Sequence, residues 1–378
     1  MDFVNNTPFA ADLARATLMY RDLMLATVVV KCGFEVSPAS EVSVVRDQAV
    51  VQEADIDTPY GTIDGDMVPA KQGCDFAVMG SARSFPPGRS VSELDVRLRV
   101  GNFARHWRVF GDRRWKRTAQ GFEVSPPEPF TEMILGYDKA YGGSAIFERR
   151  WKTHCFENPE GKGFVVREDD VDGLPLPNLE DAEHLIKTWK DQPQPAGLAP
   201  LPRQSSLRAG RGYRVDAEAG TTTAEPLAFC FTHPRMMLPT YPSGEPFELT
   251  GMGLRERLSF TLPPVRLSIQ LHLGGCEHEL LLVPDTLCVF PDHARLFVVA
   301  RRAFIYQFVP ERIRRITLCA HRDVAPAPAR TIRIARADKS VGVPIVPDDD
   351  NLVGAFDDIL RLNPLTELIE SLPLCVSG

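Results

Sequence analysis

Leu94-Asp-Val-Arg-Leu-Arg-Val100-Gly-Asn-Phe103-Ala-Arg-His-Trp-Arg-Val-Phe110 decides what kind of fold this chain adopts. Through residues 94–100 apolar and charged side chains alternate strictly, the period of a strand with one face buried and the other in water. Gly101-Asn102 follows, with glycine where a type II′ turn requires positive φ. The returning segment sets Trp107 and Val109 on one side and His106 and Arg108 on the other. The stretch therefore predicts a β-hairpin in an antiparallel sheet.

Downstream, Leu254–Leu262, Val265–Leu273, Glu277–Val283, Thr286–Phe290, Leu296–Arg302 and Arg312–Cys319 read as strands. Val265, Leu267, Ile269, Leu271 and Leu273 alternate cleanly before Gly274-Gly275 turns the chain. Strands spaced by about ten residues suggest a sandwich or related antiparallel sheet. Upstream, Leu23–Val36 is a valine-dense strand bounded by Ser37-Pro38, Val42–Val45 with Ala49–Glu53 suggests a hairpin, and Phe76–Ala82 another strand. Two short helices are expected. One is Phe130–Ala140, stopped by Gly142-Gly143; the other is Asn178–Trp189, with Asn178 as its cap and Glu180 and Asp181 at its positive end. The fold class is mainly β, a β-rich α+β chain of sandwich-like antiparallel sheets with a long ordered loop region and few short helices. The body spans 1–324: an N-terminal sheet over about 1–125, a loop-rich centre at 126–245 and a C-terminal sheet at 246–324. Residues 325–378 read as a proline-rich linker and helical tail.

The 378 residues carry 44% hydrophobic and 25% charged side chains and a net charge of −7, ordinary for a soluble globular protein. No basic stripe invites nucleic acid. The opening residues lack the basic and apolar regions of a signal peptide, and the run Leu23–Val30 is too short to cross a bilayer. A cytoplasmic protein without membrane insertion is expected. The eight cysteines lack CxxC spacing and read as small buried hydrophobes.

The least regular part is Val109–Arg203, where glycine, proline and asparagine are interleaved with charges and with aromatics such as Trp115, Tyr137, Tyr141 and Trp151. Glycine supplies positive φ and proline fixes φ, so this is neither sheet nor helix, yet the aromatics give it apolar area to bury. Gly111-Asp-Arg-Arg-Trp115 sets a carboxylate beside two guanidiniums. It reads as an anion site or, preferably, as a buried Asp–Arg pair holding the turn after the hairpin. Asn158-Pro-Glu-Gly-Lys-Gly-Phe164 lacks phosphate-loop spacing and reads as a stiff turn in which Asn158 and Lys162 bond backbone carbonyls or carboxylates. His154, Cys155 and Glu157 lack the context of a nucleophile and its base. His272, Cys276 and His278 lack a fourth zinc ligand. No cofactor, metal or catalytic residue is assigned.

The ordered series Asn5-Asn-Thr-Pro-Phe9, Lys71-Gln-Gly-Cys-Asp75, Val109-Phe-Gly-Asp-Arg-Arg-Trp115, Pro127-Glu-Pro-Phe130, Tyr137-Asp-Lys-Ala-Tyr-Gly-Gly143, Asn158-Pro-Glu-Gly-Lys-Gly-Phe164, Leu176-Pro-Asn-Leu-Glu180 and Pro195-Ala-Gly197 resembles the DUF2169 family of bacterial proteins associated with type VI secretion. The resemblance covers roughly the first 300 residues, and a motif set in fixed order is far more specific than any one member. Ile134-Leu-Gly-Tyr137, Gly212-Tyr-Arg-Val-Asp216 and Cys230-Phe-Thr-His-Pro234 depart from the family pattern. The resemblance implies a non-enzymatic adaptor or chaperone that holds an effector toxin and helps load it onto the VgrG/PAAR spike. The partner contacts expected on the central stretch are Asp112, Arg113, Arg114, Trp115, Tyr141 and Lys162, each of which also has a purely structural reading. The alternatives are an immunity protein that blocks a toxin, and a hydrolase using loop carboxylates such as Glu128 and Asp138.

Overall fold

The valine-dense run forms one 14-residue strand, Leu23–Val36, since β-branched side chains suit a pleated surface. Ala26, Val28, Val30, Cys32 and Phe34 enter one core, while Val29 and Lys31 are buried on the opposite face. Burial on both faces is why the run reads as continuously apolar rather than alternating. The computed structural model describes residues 2–17, 23–71, 73–147, 151–209, 213–216, 221–224, 229–273, 276–307, 313–321 and 374–375.

Arg295–Gln307 runs antiparallel along this strand, from Arg295 opposite Glu35 to Gln307 opposite Leu23. Val283–Phe290 and Asp75–Val78 continue the sheet beyond it, Ala10–Thr17 and Val42–Val44 flank Leu23–Val36, and Leu374–Cys375 completes seven strands. A five-stranded sheet has the order Leu179–Asp181, Phe103–Phe110, Glu93–Val100, Pro246–Thr250, Arg257–Thr261. A four-stranded sheet has the order Asp2–Asn5, Ile313–Ala320, Leu267–Leu273, Cys276–Leu281. One continuous apolar cluster takes side chains from all three sheets, including Val30, Val298, Leu98, Leu249, Ile269 and Ile316. Phe76 of the large sheet meets Phe103 and Phe247 of the five-stranded sheet edge-on, with centroids 5.8 and 6.4 Å apart. This is sandwich-like packing around a shared core.

The other face of the large sheet is covered too, and there a small apolar cluster with Ala77, Cys288 and Phe297 lies beside buried charges. Lys31 pairs with Asp66 at 2.9 Å, Lys71 with Asp75 at 2.6 Å and Arg301 with Asp285 at 2.7 Å. Arg301 also donates to the carbonyls of Asp66 and Val68, and Asp75 accepts from the backbone and hydroxyl of Thr232. These charges pin loops that have no sheet partners of their own. Buried pairs of this kind specify where a loop sits more than they add net stability.

The hairpin forms as the alternation predicts: Glu93–Val100 and Phe103–Phe110 pair from Phe103↔Val100 to Phe110↔Glu93. Gly101 has φ +53, and a Cβ there would meet only the carboxylate end of the flexible Glu245 side chain. Gly101→Ala should therefore cost about 1–2 kcal/mol, the left-handed backbone penalty alone, read by urea unfolding.

Four expectations are corrected. The N- and C-terminal halves do not build separate sheets, because strands from both ends interleave in the large and the five-stranded sheets. Val42–Val44 pairs back on Phe34–Val36 rather than with residues 49–53. Within 130–140, Glu132–Ile134 pairs with Ser81–Arg83 and only Tyr137–Lys139 is a short 3-10 turn. Within 178–189, Leu179–Asp181 is a strand against Trp107–Val109, so sheet pairing overrides local helix signals. Ser206–Ala209 is the one α-helix among the described residues. Apart from 374–375, the tail after 321 lies outside the described residues.

Candidate functional site

The ribbon leaves the five-stranded sheet at Phe110 and is held by two asparagines. Asn178 is 1% exposed; its amide donates to Phe110 O at 3.1 Å and Asp112 Oδ1 at 2.9 Å, and its Oδ1 accepts from Lys162 Nζ at 3.0 Å. Asn158 is fully buried, and its amide donates to the carbonyls of Tyr137 and Tyr141 at 2.8 and 2.9 Å. The two glycine-bearing motifs then lock together. Tyr141–Gly142 pairs in parallel with Lys162–Gly163, Gly143 N donates to Asn158 O, and Phe164 N donates to Gly142 O. Buried irregular backbone must find partners for its amides and carbonyls, and these side chains supply them. The stiff turn expected around Asn158 is found.

Gly197 of the Pro-Ala-Gly segment lies flat beneath Tyr137, where a Cβ would come within 2.4 Å of the ring. Trp115 fills a separate small core with Val165, Val171 and Leu176. The motifs thus build a rigid ribbon from its inside.

Asp112, exposed, accepts from Asn178, and this hydrogen bond together with Lys162 at 3.9 Å holds its carboxyl below the usual range. Arg113 is buried, lies over the Phe110 ring at 3.6 Å, and pairs with Glu180 and Pro177 O. The pair that holds the turn is therefore Arg113–Glu180, and not the pairing with Asp112 that adjacency suggested. Arg114 is exposed and reaches Gly173 O at 3.4 Å. Trp115 and Tyr141 are buried, and burial pushes the Tyr141 hydroxyl upward. Lys162 is half-buried. The structure brings the exposed Asp112 and the half-buried Lys162 together over the buried Asn178, while Arg113, Trp115 and Tyr141 face inward.

The outer side of the ribbon is partly apolar: Ile134 is 42% exposed, Ile146 65%, Phe156 65% and Val166 43%. Ile146 sits on a two-stranded hairpin, Ser144–Phe147 with Trp151–His154, and Phe156 follows it, packed edge-on against His154. Burial raises the Cys155 thiol, which opposes thiolate formation. Glu128 and Asp138 are both exposed, the latter paired with Lys139 at 2.6 Å.

The strand Leu179–Asp181 also reaches a small pocket lined by Arg105, His106, Trp107, Asp181, Ala196 and Arg235. Asp181 accepts from Arg235 at 2.8 Å, and Arg105 donates twice to Arg235 O at 3.1 and 2.7 Å. Burial first, and Arg235 second, hold the Arg105 guanidinium below its usual range. Asp181, Glu183 and His184 offer ligand atoms within 4.8 Å of one another, but a cation there competes with Arg235 for Asp181. Sequence reading missed Arg105, Asp181 and Arg235, since residues 178–189 look helical and Arg235 lies 54 positions from its partner. On adjacent strands, His272 contacts Glu277 at 3.1 Å.

A β-sandwich core carrying a glycine-cornered, asparagine-locked ribbon is the class of protein defined here. Residues 22–301 match the profile of DUF2169, described as an uncharacterized protein conserved in bacteria, and the chain belongs to that family. No curated protein and no solved structure matches it.

Proposed function

We propose that the protein is a non-enzymatic adaptor that holds a type VI secretion effector in the cytoplasm and helps load it onto the VgrG/PAAR spike. The observation that carries this reading is the outer side of the ribbon. Ile134, Ile146, Phe156 and Val166 stand in water on a segment whose interior is fixed by Asn158 and Asn178. Ordered loops on a rigid scaffold are the usual seat of recognition, and pre-organised apolar side chains bind at low entropic cost. The ordered motif series, with its resemblance to secretion-associated proteins, supplies the kind of partner.

Of the expected contacts, Asp112, Arg114 and Lys162 are the ones with exposed or half-buried side chains, while Arg113, Trp115 and Tyr141 are buried and support the ribbon from within. The mechanism is stoichiometric. The ribbon covers an apolar face of the effector, and release follows when the spike complex offers better differential contacts.

The test is co-expression with the effector encoded beside the gene. Capture of effector should fall at least tenfold in the Ile146→Asp/Phe156→Asp double variant, while its melting temperature stays within a few degrees of the parent. Undiminished capture by a folded double variant overturns the reading.

A further inference from the structure

The small pocket at the end of Leu179–Asp181 holds two guanidiniums, and its surroundings fix both. Arg105 lies over the Phe103 ring, its guanidinium carbon 4.4 Å from the centroid, and stacking of this kind sets the plane of the group. Its Nε and Nη2 donate to Arg235 O and its Nη1 to Ala104 O at 2.8 Å. A guanidinium has five N–H donors, and these bonds use three. Among the described residues, one N–H on each terminal nitrogen of Arg105 has no acceptor. Arg235 is held by its backbone: its N donates to His233 Nδ1 at 3.1 Å, and its carbonyl takes both bonds from Arg105. Its side chain gives one terminal nitrogen to Asp181 at 2.8 Å and is 40% exposed, which leaves further donors within reach of a ligand. Like charges this close repel. Arg235 acts with burial to lower the Arg105 guanidinium, against the opposite pull of Asp181 and Glu183.

We infer that this pocket binds a single carboxylate carrying a short apolar group, held by the spare donors of Arg105 and Arg235. The walls select that chemistry. One N–H on each terminal nitrogen of a guanidinium matches the two oxygens of a carboxylate. Asp181 and Glu183 also line the pocket, so one negative charge fits between the guanidiniums while the second charge of a sulfate would meet two carboxylates. Trp107, Ala196 and Met236, all buried, supply an apolar wall. The cavity is only about 110 Å³, against roughly 300–1,000 Å³ for sites that enclose a drug-sized ligand. It therefore takes the end of a molecule. A small free acid and the C-terminus of a polypeptide share this chemistry, and capture of a terminal carboxylate is a recurring mode of recognition. The Pro195-Ala-Gly197 motif forms part of the wall, which gives it a role beyond seating Tyr137. The inference is independent of which protein the ribbon holds.

The test is calorimetric titration of the full chain near neutral pH with four probes: N-acetylalanine, a glycine-serine peptide ending in a free alanine carboxylate, the C-terminal amides of both, and sulfate. At least one free acid should bind saturably, and amidation should weaken it about tenfold or more, the worth of a charge-assisted bidentate contact. Arg235→Gln should weaken binding by a similar factor. Asp181→Asn removes a negative charge from the wall, keeps a side-chain acceptor for Glu183 N, and should tighten binding severalfold. A purely structural Arg235–Asp181 pair would not give that gain. Both variants should melt within a few degrees of the parent. N-acetylalanine binding as tightly as the peptide identifies a small acid as the ligand, and a peptide about tenfold tighter identifies a chain terminus. No saturable binding by either acid, equal binding of the amides, sulfate bound as tightly as the carboxylates, undiminished binding to folded Arg235→Gln, or binding to Asp181→Asn no tighter than to the parent overturns the inference.

Discussion

Gly111→Ala should abolish recovery of folded protein, whereas Gly88→Ala should leave a folded chain. An alanine Cβ at 111 would stand 1.7 Å from the carbonyl oxygen of Glu128 and 2.8 Å from its carbon. Neither atom can swing aside as the tip of a side chain would. Glu128 N already donates to Asp112 O at 3.0 Å, and Phe130 exchanges two backbone hydrogen bonds with Val91 at 2.8 and 2.9 Å. Relief therefore means lifting residues 126–130 off the strand and breaking these bonds together. The expected loss exceeds about 4 kcal/mol, the range reserved for strain and broken buried networks. Gly88 has φ +85 but nothing within 4 Å of its Cβ position, so alanine there meets only the left-handed backbone penalty of about 1–2 kcal/mol. Soluble yield and thermal unfolding of the two variants make the comparison. Equal melting would mean that the ribbon is not seated on the sheet through Gly111.

That contrast bears on how the ribbon could serve a partner. Its inner side is crowded with backbone: Gly142 faces Asn158 O and Gly143 faces Gly161 O, each with no room for a Cβ. Its outer side leaves Ile146 and Phe156 exposed. Substitutions on the inner side thus act on folding and those on the outer side on recognition. A screen for lost effector capture must separate the two by melting temperature before any residue is assigned a contact.

What could be seen in the sequence divides along the range of the interactions. The hairpin at 93–110 and the strands between 254 and 319 follow from period-two alternation and glycine turns, which are local signals. That Leu23–Val36 lies beside Arg295–Gln307 is not local, and nothing in either run names the other. Residues 178–189 show the ambiguity most sharply. Asn178 and Glu180 are good helix-start residues because they hydrogen-bond free amides, and that same capacity lets them serve buried irregular backbone. Here Asn178 bridges Phe110 and Asp112, and Glu180 accepts from Ile186 N at 2.8 Å while holding Arg113. The turn at Asn158 was legible because Asn158-Pro159 and Gly161 are local turn signals. The ribbon's exposed apolar residues were not, since an isoleucine reads alike whether it faces core or water.

Arg113→Met should destabilise the protein by about 3–5 kcal/mol at pH 8, the cost of stranding a buried carboxylate, and by much less at pH 5. Arg113 is 7% exposed and Glu180 3%. In the parent, burial holds the Glu180 carboxyl above its ordinary range, against the lowering by Arg113 and by the amide of Ile186. Removing the guanidinium takes away the largest opposing influence, so the folded-state value rises further. An acid whose folded value lies above its unfolded one contributes stability that is present below the unfolded value and is lost as pH rises through the folded one. The penalty should therefore open just above the ordinary glutamate value and grow toward neutral pH. Arg113→Met/Glu180→Gln removes the titrating charge, and the double variant should recover most of the loss and lose the pH dependence, since replacing both partners of a buried pair is often near neutral. Urea unfolding at pH 5 and pH 8 reads both effects. A single variant as stable as the parent at pH 8, or one penalised more at pH 5, would mean that Glu180 is not buried against Arg113. Because this pair sits beneath the ribbon and does not touch its outer side, the double variant should still capture effector as the parent does, which separates the scaffold from the surface it displays.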